Sequence, residues 1–170
     1  GPNGAGKTTL AKLILGQLPY CGVIQRDEKI SNFAEIAHVS LEQQKILVAR
    51  EEKKDLYEEY SGIEEHFLTG REFMDPQGKK TKETLKIAKK LGLKSILENP
   101  MRYYSNGETR KTLIGKALLS DPKLLILDEP FEGLDFKSVV WLKHTISSLI
   151  RKGLVIFLIS NRVEDLVPEI

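Results

Sequence analysis

Apolar residues change their spacing along this chain, and each change predicts a different element. Leu10, Leu13 and Ile14 recur at i, i+3 and i+4, the spacing of one helix face. Gly16 fits a C-terminal cap and Pro19 blocks continuation. After that helix the chain reads strand-like and turn-rich, with Gly22-Val23-Ile24-Gln25 and then Ile36-Ala37-His38-Val39-Ser40 as the strand-like pieces. From Gln43 to Ser120 it turns helical and charged. Within that stretch Arg50-Glu51-Glu52-Lys53-Lys54-Asp55 is a mixed-sign run expected on a solvated helix face. Gly78 to Lys94 is lysine-rich, with Leu85, Ala88 and Leu91 as a thin apolar stripe, and predicts an exposed helix. Leu124-Leu125-Ile126-Leu127 is a continuous apolar run between Pro122 and Asp128, which suits a strand buried on both faces. Val139, Leu142, Ile146 and Leu149 then mark a helix face stopped by Gly153, and Leu154 to Ile159 predicts a second buried strand. Strand, helix, strand in that order argues for a parallel α/β sheet. The simplest organisation is an α/β core from residues 1–44 and 121–170 with a helical subdomain, 45–120, inserted into it.

Size and charge narrow this only slightly. A chain of 170 residues can bury one sizeable core, with room for a small subdomain. A formal net charge of +2 is too near balance to indicate nucleic acid as a partner. Cys21 is the single cysteine, so no internal disulfide is possible, which fits a reducing compartment. No apolar run approaches the roughly 18 residues of a membrane span.

Chemistry enters at the first residues. Gly1-Pro2-Asn3-Gly4-Ala5-Gly6-Lys7-Thr8 fits G-x-x-x-x-G-K-[ST], the phosphate-binding loop of nucleotide hydrolases, and Thr9 follows it. Glycines let such a loop turn tightly and point its N–H groups inward as an anion nest. Lys7 places a positive charge beside the outer phosphates, the Thr8 hydroxyl can ligate Mg²⁺, and the next residues start a helix whose N-terminus faces the anion. A loop of this kind is aimed by a buried strand before it, so the sequence is expected to be a piece of a longer protein.

Two further pieces follow. Asp128 and Glu129 end the apolar run 124–127, at the strand edge where ligands of open parallel sheets bind. Asp128 can anchor Mg²⁺, and Glu129 is placed to polarise an attacking water as general base. In Tyr104-Ser105-Asn106-Gly107-Glu108, Ser105 reads as a helix N-cap and Gly107 is expected to leave the helix start open to an anion.

Together these residues resemble the ATP-binding cassette (ABC) ATPases. Gly1–Thr9 match the family's phosphate loop. Ser105, Asn106, Gly107 and Glu108 match its signature as a variant, Leu124–Glu129 its acidic strand, and Gly133-Leu134-Asp135 the loop after it. The resemblance implies a P-loop NTPase (RecA-like) parallel-sheet core with an inserted helical subdomain, truncated at one or both ends. It implies ATP and Mg²⁺ as ligands. It also implies head-to-tail pairing with a second cassette, in the same full-length chain or as a homodimer. In such a pair each ATP lies between the phosphate loop of one cassette and the signature of the other, with Asp135 in the loop at the dimer interface. Tyr-Ser-Asn-Gly-Glu-Thr-Arg-Lys and Leu-Asp-Glu-Pro-Phe-Glu-Gly-Leu-Asp look closest to a soluble subgroup named after molybdate transport or photorepair, often with tandem cassettes. A membrane permease subunit is the alternative partner. A cytoplasmic location is expected, and an organelle matrix such as the mitochondrial one fits as well.

The pattern departs from the family in two places. Asn161 stands where the switch histidine is expected, and an amide cannot carry an imidazole's proton. This opens a second expectation beside a working ATPase, a slowly hydrolysing or non-hydrolysing ATP-dependent switch. After Ser40 comes Leu41-Glu42-Gln43-Gln44, in which Gln43 or Gln44 serves the glutamine loop that reaches Mg²⁺ and water.

Overall fold

The computed structural model describes residues 6–25, 30, 32–63 and 66–168. The chain divides into two compact units, one drawn from Gly1–Ser40 and Ser120–Ile170, the other from Leu41–Leu119.

In the first unit, α1 (Lys7–Ile14) follows Gly6, whose φ of 77° lies in the left-handed region that glycine enters without strain. The expected apolar stripe holds at Ile14 but not at Leu10. Leu10 is 48% exposed, whereas Ala11 is fully buried, with Ile14 and Leu15 partly buried beside it. Alanine has no side chain beyond Cβ, so α1 can lie close to the sheet at that point. Gly16, with φ of 68°, follows the helix as expected. The strand expected at 22–25 does not form. Val23 is 93% exposed, and an isolated apolar pair without a neighbouring strand gains nothing from extension.

A 3₁₀ turn, Phe33–Glu35, is closed by a reciprocal capping box between Asn32 and Glu35 and delivers the chain into β1 (Ile36–Ser40). β2 (Leu124–Asp128) and β3 (Val155–Ile159) complete a parallel sheet of order β1-β2-β3. Ser40 is opposite Asp128, and Asp128 is opposite Ile159. Since side chains alternate, Ile36, Leu124, Ile126, Phe157 and Ile159 share one face, and these are the residues that cluster with Ala11. Ser40 and Asp128 fall on that same face at the C-terminal end of the sheet. β2 is buried from Leu125 to Asp128, as its unbroken apolar run predicts. β3 is not buried on both faces: Val155 is 51% exposed and only Ile159 is buried. Among the described strands β3 is hydrogen-bonded to β2 alone, so its run is covered on one side only. α6 (Phe136–Arg151) returns the chain between them, burying Leu142 and Ile146, and Gly153 follows its end.

The second unit is helical: α2 (Leu41–Ser61), α3 (Gly70–Met74), α4 (Thr81–Lys90) and α5 (Asn106–Leu119). α5 is its centre, packed against α2, α3 and α4 and buried on several sides. Gly115 permits the close approach, since a Cβ there would meet Met74 Cε at 2.7 Å. The run 50–55 is solvated as expected apart from Glu51. That residue is buried, accepting the Leu68 N–H at 3.2 Å and pairing with Lys54 at 3.2 Å. The stripe expected around α4 holds at Ala88 and Leu91, both buried, but Thr84 is buried in place of Leu85, which is 38% exposed. Among the described residues no helix is long and apolar enough to cross a membrane.

Candidate functional site

The parallel sheet brings distant residues to its C-terminal edge. Gly1, Pro2, Asn3, Gly4 and Ala5 of the expected phosphate loop lie outside the described residues. Gly6, Lys7, Thr8 and Thr9 are described, the last three opening α1. Lys7 Nζ donates to the Asn161 side-chain oxygen at 2.5 Å, joining residues 154 apart in sequence. The Asn161 backbone N–H in turn donates to Glu129 Oε2 at 3.3 Å. Asn161 thus contacts both the lysine and the acid.

Asp128 and Glu129 sit side by side but in different environments. Asp128 is buried at the last position of β2, and its Oδ1 has no hydrogen-bond partner. A buried carboxylate oxygen left unpaired is costly and is kept where a ligand completes it. Glu129 is half-buried and continues the ladder by donating its N–H to Ile159 O at 2.9 Å. Its φ is 49°, in the left-handed region that a glutamate enters only under constraint. Burial raises its carboxyl above the ordinary range, while the Asn161 N–H and the Lys7 charge pull it back down. Pro130 and Phe131, both buried, hold the following turn.

Asp135 is the N-cap of α6. Its carboxylate accepts from the Ser138 N–H at 3.0 Å and the Ser138 hydroxyl at 2.9 Å. The Ser138 backbone bond, with the hydroxyl next, holds its carboxyl below the usual range. Phe136, the next residue, is 81% exposed, among the most exposed large apolar side chains of the described residues.

In the helical unit the expected N-cap forms. Ser105 N–H and Oγ both donate to Glu108 Oε2 at 2.8 Å, and Glu108 N–H donates to Ser105 Oγ at 3.3 Å, a reciprocal capping box. The open tip is not where the glycine suggested. Gly107 is buried, and Ser105 and Asn106 are the exposed residues. The reason lies in helix periodicity: Gly107, one residue into α5, shares the inward face with Arg110 and Ile114.

The two glutamines part company. Gln43 is exposed on α2. Gln44 is buried, its Oε1 accepting from Arg110 Nε at 2.6 Å and its Nε2 donating to Asn106 Oδ1 at 3.2 Å. Sequence spacing gave no sign of this network. The one available signal was Arg110, a lone cation on an otherwise apolar helix face, which needs a buried partner.

The family model described as ABC transporter matches residues 1–132. The chain is similar to the ABC transporter ATP-binding protein ModF of Escherichia coli (strain K12), 36% identical over 170 residues, covering 99% of this chain and 34% of ModF. It is 32% identical over 164 residues to the zinc import ATP-binding protein ZnuC of Vibrio vulnificus (strain YJ016), covering 95% of this chain and 55% of ZnuC. The chain therefore spans about a third of the one relative and about half of the other. Among solved structures, a nucleotide-free ATP-binding cassette from an ABC transporter shares the fold with TM-score 0.73 at 18% identity, covering 96% of this chain and 69% of that one. The structure of cbiO1 from Clostridium perfringens, part of the ABC transporter complex cbiONQ, also has TM-score 0.73, at 21% identity, covering 98% and 66%.

Proposed function

The chain belongs to the ABC transporter family of ATP-binding cassettes, and on that premise we propose that it binds Mg-ATP at a head-to-tail interface between two cassettes and hydrolyses it to drive a conformational cycle. One observation carries this: Lys7, Asn161 and Glu129 are linked by hydrogen bonds at the sheet edge where Asp128 leaves a buried carboxylate oxygen unpaired.

Lys7 binds the outer phosphates. A charged phosphate oxygen is a stronger acceptor than the Asn161 amide, so the triphosphate draws the ammonium toward itself. Residues 1–9 cradle the rest of the polyphosphate. Thr8 and Asp128 suit a magnesium ion, and the ion, when bound, neutralises charge on the phosphate oxygens. Glu129 takes the proton of the attacking water, and its carboxyl, raised chiefly by burial, is the stronger base for it. Asn161 orients Lys7 and Glu129 and presents its amide to the γ-phosphate. Gln43 serves the glutamine loop. Ser105, Asn106, Gly107 and Glu108 meet the ATP of the partner cassette, and Asp135 lies at the dimer interface.

A second reading, an ATP-dependent switch with slow or no turnover, is favoured by Asn161 itself, because its amide does not titrate near neutral pH. Steady-state phosphate release by the complete protein separates the two. Turnover well above background that disappears in Glu129→Gln supports the hydrolase. ATP-dependent pairing without turnover supports the switch. Equal turnover by Glu129→Gln and the unmodified protein removes Glu129 as base.

A further inference from the structure

The helical unit holds a polar connection that none of the roles above uses. α2 begins at Leu41, directly after β1 ends at Ser40, and Gln44 lies in its first turn. The Gln44 side chain does not face water. It is buried between α2 and α5, and both ends of its amide are committed. Oε1 accepts from Arg110 Nε at 2.6 Å. Nε2 faces both oxygens of Asn106, at 3.2 Å from Oδ1 and 3.4 Å from the backbone carbonyl.

Arg110 explains the orientation of that amide. It is 1% exposed, and burial lowers its guanidinium to about 10, still fully charged at neutral pH. A buried guanidinium demands an acceptor, so Gln44 must turn its oxygen toward Arg110. The planar amide then has its NH₂ on the opposite side, where Asn106 offers two acceptors. Asn106 and Arg110 stand four residues apart on one face of α5, and Gln44 spans that interval. The charge on Arg110 thus sets which way Gln44 points, and Gln44 in turn holds the first residue of α5. The capping box of Ser105 and Glu108 fixes the same turn from the other side.

We infer that Gln44 is a positioning residue for the signature turn: it transmits the placement of the start of α2 to Asn106, and so sets the exposed helix tip that meets a partner's nucleotide. It acts through Asn106 and touches neither ATP nor metal in its own cassette. The inference rests on the proposed pairing for its catalytic consequence, but its structural part stands independently of turnover.

The test uses the complete protein with Gln44→Glu, Asn106→Ala and the double variant. Gln44→Glu keeps an acceptor for Arg110, so the fold survives, and it removes the donor to Asn106. Asn106→Ala is at an exposed position and removes the side-chain amide, leaving the backbone carbonyl as the remaining acceptor for Gln44. ATP affinity is expected to stay within about twofold in Gln44→Glu, since the Lys7 site is separate; Asn106→Ala and the double variant, altered at a residue placed on the partner's ATP, are read through kcat and exchange alone. The kcat is expected to fall roughly tenfold or more in each single variant, the scale of a misplaced catalytic contact, and no further in the double. Amide hydrogen exchange of residues 105–108 is expected to quicken in Gln44→Glu with an unchanged melting temperature. Additive losses, or unchanged exchange in that segment, overturn the inference. A changed Mg²⁺ concentration dependence in Gln44→Glu overturns it too, by putting Gln44 on the metal. Absence of turnover in the unmodified protein sinks the hydrolase reading alone, and the exchange measurement then decides the positioning role.

Discussion

Lys7 and Asn161 meet across 154 residues of sequence, ammonium to amide oxygen at 2.5 Å. The contact puts a neutral acceptor on the lysine proposed to bind phosphate, and the Asn161 backbone holds Glu129 as well. Asn161→Ala frees one Lys7 hydrogen bond but leaves the backbone N–H to Glu129 in place. Its expected signature is ATP affinity within about threefold of the unmodified protein and kcat reduced roughly tenfold or more, the range for one polar contact in the transition state. Equilibrium nucleotide binding and phosphate release check this. Asn161→His is expected to raise kcat and give it a new pH dependence between about 6 and 7, where imidazole titrates.

Lys7→Ala is expected to abolish ATP binding at concentrations that saturate the unmodified protein. Removing the ammonium also removes the charge that pulls the Glu129 carboxyl down, so that carboxyl rises further. Binding of a fluorescent ATP analogue checks the first expectation. Retained affinity would displace Lys7 from the site.

Glu129 gives a pH dependence with a definite sign. Its carboxyl is raised, chiefly by burial, so in the window above the ordinary 4.5 the folded state holds more protons than the unfolded one. Stability therefore falls as pH rises through that window, because ionising the buried carboxyl weakens the fold. Glu129→Gln is expected to unfold at higher denaturant concentration than the unmodified protein at pH 7, with the gap closing below pH 4.5. The acid limb of kcat is expected above the ordinary carboxylate range, because the base works only when ionised. Denaturant midpoints and a pH–rate profile test both.

Ser105→Ala removes one half of the capping box and leaves the Glu108 N–H without its acceptor. The expected loss is about 1 kcal/mol of stability, typical of an N-cap serine. Glu108→Gln keeps the box geometry and is expected to lose much less. Chemical denaturation of the two variants distinguishes a cap from a surface serine.

Ile126→Ala empties the centre of the sheet face shared with Ala11, Ile36 and Ile159, where Ile126 is fully buried. A cost of about 2–5 kcal/mol is expected, as for other large-to-alanine changes in cores. Because Ile126 lies two residues before Asp128 on the same face, weaker ATP binding is expected to accompany the lost stability.

Much of this was legible without coordinates. The unbroken run at 124–127 announced a strand buried on both faces, because only a central strand can hide both sets of side chains. Ser105 announced a helix N-cap, since that bond depends on residue type and local spacing; the reciprocal bond to Glu108 came from the structure. Gly16 and Gly153 stand after helices as their backbone freedom suggests. Readings that assumed a neighbour fared worse. Val23 and Ile24 found none and stayed irregular. The apolar run of β3 found one on a single side. The stripes of α1 and α4 held at Ile14, Ala88 and Leu91, but the partner surface chooses which residues face it, and Ala11 and Thr84 fit where Leu10 and Leu85 do not.

The sequence by itself determined what depends on neighbours along the chain: the caps, the parallel strand at 124–128, and the residue types needed for phosphate chemistry. Tertiary structure alone decided that Asn161 contacts Lys7 and Glu129, that Asp128 keeps an unpaired buried oxygen, and that Gln44 rather than Gln43 is enclosed. The difference is physical. Spacing fixes contacts within a turn of helix or along a strand, whereas contacts between residues 32 to 154 apart are fixed only when the sheet register and the packing of helices bring those atoms within hydrogen-bonding distance.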